Sequence, residues 1–236
     1  MKKYLLVVPL LFAFVAVQAQ RSMGNAIAEY LMQFQYDKTT KFEDVDLESL
    51  VYVGSPYADK NFIAGEIYHN NKLIAENVPL RYNALMDEME FKTSFDEEDK
   101  NSSALVKSPE IDIKIGNKIY LFVPYHGGVE KGGYFEVLVK DSKYDLFKKY
   151  NKKYFAEQKA QTSMTKDNPA RFTDNNVYYL VSDSGTFYEL PSKSKAFSKI
   201  FLNKEKEIES YIKSRNLDLK NEKDVIAIVR YFNSLL

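Results

Sequence analysis

The chain has no cysteine and no tryptophan, and only two histidines among 236 residues. Without thiols there is no disulfide scaffold, no thiolate zinc site and no cysteine nucleophile. His69 and His126 both fall at predicted hairpin tips, where they read as exposed turn residues. No metal site and no cofactor are expected from this set of side chains. An excess of one charge is missing too: 33 basic residues face 33 acidic ones. That balance gives no ground for a nucleic-acid partner or for binding to an anionic membrane. Past the first nineteen residues no apolar run approaches the roughly 20 residues of a membrane span.

What stands at the amino end is a leader pattern. Lys2 and Lys3 precede the apolar run from Tyr4 to Val17, and Val17-Gln18-Ala19 follows. Small residues thus occupy both positions that signal peptidase reads. Residues 1–19 are expected to be a signal peptide cleaved near Ala19-Gln20, giving a soluble periplasmic or secreted product. With no cysteine after the run, lipid attachment is excluded.

The 18 tyrosines and 16 phenylalanines suit pleated, half-buried surfaces. Residues 20–50 form an N-terminal segment, in which the spacing of Ile27, Leu31 and Phe34 predicts a helix over about 25–35. From Val51 the apolar period becomes two. Phe62 to Tyr68 and Leu73 to Glu76 flank His69-Asn70-Asn71-Lys72, a turn whose asparagines tolerate positive φ. Val78 to Leu85 and Met89 to Lys92 read as the next strand pair. Glu110 to Ile115 with Lys118 to Tyr125, Tyr134 to Lys140 with Lys143 to Tyr150, and Val177 to Ser182 with Thr186 to Leu190 complete the series. Strands this closely spaced pair antiparallel, because a parallel crossover needs a dozen residues or more.

After residue 190 the period lengthens to that of a helix. Lys195 to Leu202 and Lys204 to Arg215 are predicted helices, the second capped by Asn203. Asn221 with Asp224 resembles a capping box opening a third, which presents Val225, Ile228, Val229 and Phe232 along one stripe. The fold expectation is mainly β (α+β): an antiparallel twisted sheet or open-barrel-like sandwich of eight to ten strands. Residues 51–190 form that body, and residues 191–236 pack on it as two or three helices. Within the body, residues 157–176 lack periodicity and read as a mobile loop.

In the hairpin around Met86-Asp87-Glu88, Leu80, Tyr82 and Ala84 share one face and Arg81 and Asn83 the other. Arg81 then meets Glu88 or Glu90 across the turn, and Arg81, Asn83, Glu88 and Glu90 become the structural or ligand-contact candidates. Register-pinning is the favoured reading, with a ligand carboxylate on Arg81 as the alternative. The acidic run Asp96 to Asp99 lacks the ligand spacing of a calcium loop and reads as solvated. His126-Gly127-Gly128 has no Gly-x-Ser-x-Gly elbow to serve, so it reads as a loop. Lys148, Lys149, Lys152 and Lys153 alternate with aromatic residues, as on a single-strand nucleic-acid platform; balanced charge favours an edge strand guarded by lysines.

Gly54-Ser55-Pro56-Tyr57, the string Val78-Pro79-Leu80-Arg81-Tyr82-Asn83, Gly133-Tyr134-Phe135-Glu136-Val137-Leu138 and the ending Tyr231-Phe232-Asn233-Ser234-Leu235 carry a resemblance. In order and spacing the chain resembles uncharacterised, signal-peptide-bearing envelope proteins common in Bacteroidetes. The resemblance implies export and a β-rich body with C-terminal helices, and no activity. The leading functional expectation is a non-enzymatic interaction or structural module of the cell envelope, contacting another envelope protein or a glycan. One alternative is a glycan hydrolase using two of Asp87, Glu88, Glu90, Glu110 and Glu136 at about 5–10 Å. The other is a small apolar-ligand carrier with a Tyr/Phe-lined cavity in the curved sheet. No catalytic residue is assigned.

Overall fold

The computed structural model describes residues 31–42, 45–46, 51–124, 132–140, 142–160 and 166–236. The leader, most of the helix expected over 25–35 and the His126 loop lie outside these residues. Of that helix, Met32–Phe34 forms a 3-10 turn that runs into a strand.

Fifteen short strands occur among the described residues. The first three are β1 (Gln35–Tyr36), β2 (Lys41–Phe42) and β3 (Val45–Asp46). A run of hairpins follows: β4 (Ile63–His69), β5 (Lys72–Asn83), β6 (Glu88–Phe91) and β7 (Ser103–Leu105). Next come β8 (Ile111–Ile115), β9 (Lys118–Val123), β10 (Gly133–Val139) and β11 (Tyr144–Lys149). The last are β12 (Lys152–Phe155), β13 (Arg171–Asp174), β14 (Val177–Ser182) and β15 (Phe187–Glu189). Eleven of them make one antiparallel sheet in the order β1-β7-β6-β5-β4-β8-β9-β10-β11-β14-β15, which does not close into a barrel. The chain is mainly β with helices at its C-terminal end, as its periodicity predicts, though the sheet has one strand more than the upper expectation.

The segments Leu73–Glu76 and Val78–Leu85, expected as separate strands, are one bulged strand. Asn77 sits at φ 55°, and the pairing of β5 with β4 slips between Gly65↔Val78 and Ile67↔Ala75. One extra residue in a strand bends it and increases its twist. The bend curls this end of the sheet over until the β5–β6 turn meets β10. There Asp87 Oδ1 accepts from the Tyr134 backbone N–H at 3.0 Å and from the Tyr82 hydroxyl at 2.6 Å.

Inside the curl the strands present Tyr82, Tyr120, Tyr134 and Tyr150, all buried. The Tyr82 ring lies 5.4, 5.9 and 5.8 Å from the other three. Tilted and edge-on pairs of this kind add about 0.5–1.5 kcal/mol each beyond area burial. The interior is therefore filled with rings.

The same sheet face continues to a second core under three helices, α1 (Ser194–Ser198), α2 (Glu205–Arg215) and α3 (Glu222–Ser234). Phe197, Phe201, Ile208, Ile228 and Phe232 pack on Leu146 and Leu180 there. Asn233 ties α3 to the edge of β11, donating to the Tyr144 carbonyl at 2.8 Å and accepting from its N–H at 3.0 Å. Two capping expectations need correction. Lys204 precedes α2 while Asn203 takes a left-handed φ of 63°. Asn221 does cap α3, through the Lys223 N–H, but Asp224 turns away to accept from Asp218 N–H.

Strand β11 and the stretch 157–176 both differ from expectation. The strand is central, between β10 and β14, so its lysines guard no edge. Lys148 instead reaches Glu222 at 2.6 Å and Glu136 at 3.7 Å, in a polar seam between the two cores. The stretch 157–176, expected as a loop, holds β13. The β12–β13 pairing continues the β11–β14 register unbroken, from Lys149↔Val177 to Lys152↔Asp174 and Phe155↔Arg171. This long arm crosses to the other half of the molecule, where Phe172 N–H donates to the Val53 carbonyl and Val53 N–H to the Ala170 carbonyl, both at 2.9 Å. Gly54 beside it has φ 86°, and a Cβ there would stand 2.6 Å from the Phe172 carbonyl oxygen. Only glycine fits at that position.

Candidate functional site

The hairpin of β5 and β6 places Arg81 opposite Glu90 and Asn83 opposite Glu88. Asp87, at φ 55°, makes the turn between them. Period two sends Leu80 and Tyr82 into the tyrosine core and Arg81 and Asn83 to the other face. Both faces of this hairpin are buried, so its charged side chains need partners. A buried ion without hydrogen bonds costs several kcal/mol.

Arg81 has a full set. Its Nε and Nη2 donate to Glu90 Oε2 at 3.1 and 2.6 Å. Its Nη1 donates to Asp99 Oδ2 at 3.0 Å and to the Lys60 carbonyl at 3.3 Å. The guanidinium also lies between two rings, 3.7 Å from the centre of Tyr57 and 4.1 Å from that of Phe62. A planar, weakly hydrated cation suits such a slot better than an ammonium would. Glu90 Oε1 accepts from Asn83 at 3.0 Å, and Asn83 Oδ1 accepts from the Met86 N–H. Glu88 faces the neighbouring segment, accepting from the Thr39 hydroxyl at 2.6 Å and its N–H at 2.9 Å.

The acidic run contributes Asp99, which is not simply solvated. Its side chain is 59% exposed, yet it bridges two buried cations, Arg81 and Lys92, at 3.0 and 3.1 Å. Partial burial pushes the Asp99 carboxyl up, but the hydrogen bonds and charges of Lys92 and Arg81 outweigh it and hold the group below its ordinary value. Burial and the neighbouring Glu90 push the Tyr57 phenol far above its ordinary value. Burial and Glu88 do the same to Tyr36.

Beside this network opens a cleft of about 480 Å³. Arg81, Asn83 and Glu90 form its floor, Tyr52 and Tyr57 its walls, and Lys60 part of its rim. Of the candidates, Arg81, Asn83 and Glu90 meet here, while Glu88 turns toward Thr39. The remaining carboxylates weighed for hydrolysis lie elsewhere and are engaged. Asp87 holds Tyr82 and Tyr134, Glu110 contacts His69 Nε2 at 3.2 Å, and Glu136 accepts from the Tyr150 hydroxyl at 2.6 Å. Among the described residues no group of three or more His, Asp or Glu side chains is placed to hold a metal ion.

Lys92, Tyr57, Phe62 and Asp99 escape the sequence reading. Lys92 is recoverable, since the alternation that puts Glu88 and Glu90 on one face continues to it. Tyr57 and Asp99 arrive from loops, and no local period marks them. Comparison with known proteins finds no matching family model, no matching curated protein and no matching solved structure. No helix among the described residues is long and apolar enough to cross a membrane.

Proposed function

We propose that this chain is an exported, non-enzymatic interaction module of the cell envelope, which uses the cleft beside Arg81 as its binding surface. The observation that carries the reading is the pairing of the cleft's carboxylates with its buried guanidinium. Arg81 engages Glu90, Asp99 and two rings, and Glu90 is held by Arg81 and Asn83. A general base or nucleophile must be free to leave its partners and move onto a substrate, whereas Glu90 is fixed by Arg81 and Asn83 and Asp99 by Arg81 and Lys92. These carboxylates serve as rigid, preorganised hydrogen-bonding groups instead. The leader pattern and the likeness to Bacteroidetes envelope proteins support export.

Glu90 and Asp99 do line one cleft, which is the observation a glycan hydrolase would use, but Arg81 clamps both. For the carrier reading, the tyrosine rings occupy the place where the ligand would sit. The test has two parts. Fractionation of the source cells, with N-terminal sequencing, is expected to find the mature chain outside the cytoplasm and starting at Gln20. Incubation with oligosaccharides prepared from the envelope is expected to leave every mass unchanged. A cytosolic full-length product, or cleaved products that require the protein, would overturn the reading.

A further inference from the structure

We infer that the cleft beside Arg81 binds an acidic saccharide: a polyhydroxylated ring that carries a carboxylate. This rests on the non-enzymatic binding reading above and gives it a ligand class.

The floor argues for hydroxyl groups. Arg81 and Glu90 are 5% and 1% exposed, so their geometry is fixed by the fold. Asn83 uses one amide hydrogen on Glu90, and Glu90 Oε1 accepts that one bond. An amide has a second hydrogen and a carboxylate oxygen a second lone pair. A donor and an acceptor therefore lie side by side among the residues that line the cleft. A hydroxyl both donates and accepts, so adjacent hydroxyls on one ring match such a pair better than an apolar ligand would. The Tyr52 and Tyr57 side chains line the same space. They offer ring surface together with further hydroxyls.

The rim argues for negative charge. Lys38, Lys60, Lys100 and Arg81 line the cleft against Glu90 and Asp99, an excess of cations. Lys100 is paired with Glu98 at 2.6 Å, and Lys38 donates to the Asp99 carbonyl at 3.0 Å. Lys60 contributes its carbonyl to Arg81, while its ammonium has no ion-pair partner among the described residues. That ammonium is the group left to meet a ligand carboxylate. Small-ligand sites span about 300–1,000 Å³. At about 480 Å³ the cleft suits a short saccharide and not a folded partner.

Calorimetric titration of the mature protein with trigalacturonate at low salt, beside the neutral trisaccharide maltotriose, tests the inference. Trigalacturonate is expected to bind, and maltotriose about tenfold more weakly. Lys60→Glu should weaken trigalacturonate about fivefold to tenfold with an unchanged circular dichroism spectrum, as expected for reversal of one exposed charge. Lys60→Arg should retain affinity, and added salt should shrink the gap. Amide shifts in the wild type should map to residues 38–40, 52–61 and 81–83. Equal binding of the neutral sugar, indifference to Lys60→Glu, shifts that map elsewhere, or no binding at millimolar concentration would overturn the inference. Cleavage of trigalacturonate would leave the site assignment standing and overturn the non-enzymatic reading instead.

Discussion

At the β5–β6 end of the sheet, the face turned away from the tyrosine core carries Arg81, Asn83, Glu88 and Glu90. At the β10–β14 end the same face carries Phe135, Phe147 and Val181, ringed by Tyr179 and Phe187. The rings bury one another: Phe187 lies 5.4 Å from Phe135 and 5.7 Å from Phe147. Apolar groups leave water without specific partners, so a cluster of rings needs little beyond its neighbours. The charged end needs groups at fixed positions. It obtains them from two connecting segments, which supply the Lys60 carbonyl, Tyr57, Phe62 and Asp99. The cleft lies between those segments and the hairpin. The demand of buried charges for partners thus explains why the cleft is at this end of the sheet.

The contrast breaks first at Arg81. Arg81→Met strands Glu90 in a buried site without its counter-ion and should cost about 3–5 kcal/mol in urea denaturation. Adding Glu90→Leu should recover much of that loss; a purely additive double variant would show that the pair is not the unit of stability. Phe147→Ala should cost about 3 kcal/mol, the lower end for a buried ring because the cluster lies at the surface. It should leave the cleft's ligand titration unchanged, whereas Arg81→Met should abolish it.

Alkaline pH probes the tyrosine interior that both ends share. Burial pushes the Tyr82, Tyr120, Tyr134 and Tyr150 phenols well up, and burial with Glu222 pushes Tyr178 up to about 12. A raised folded-state pKa gives stability that is complete below the unfolded value of 10.0 and is lost as pH rises through the folded one. Stability should therefore hold up to about pH 10 and fall beyond it. Tyrosinate absorbance from the buried rings should appear together with loss of circular dichroism. Ionisation of those rings with the fold intact would contradict the packing described.

The smallest effect belongs to Asp99. Because its side chain is largely exposed, Asp99→Asn should cost no more than about 1 kcal/mol at neutral pH. Its carboxyl is held below the ordinary value of 3.8, so its contribution is present above that value and lost as pH falls through the folded one. The variant should lose less stability than wild type between neutrality and strong acid.

What could be read from the chain was periodic. Alternation around Arg81 and Asn83 separates the two faces of the hairpin, and Asn221 followed by Val225, Ile228, Val229 and Phe232 marks the last helix. What could not be read depends on contacts distant in sequence. Asn77 looks like a turn residue, and only the β4 pairing makes it a bulge. The arm through Arg171–Asp174 lacks an apolar period because just one of its four residues, Phe172, is buried. Lys148 and Lys149 look like guards of an exposed edge until Glu222 and Asp87 are brought to them by other elements.

Chemical denaturation of Glu90→Gln bears most directly on the claim that the cleft's charges stabilise each other instead of reacting with a substrate. Loss of about 2–3 kcal/mol is expected, because the amide keeps the shape but removes the charge opposite Arg81. Unchanged or increased stability would contradict the account, since a carboxylate held in strain for catalysis is one whose neutralisation relieves the fold.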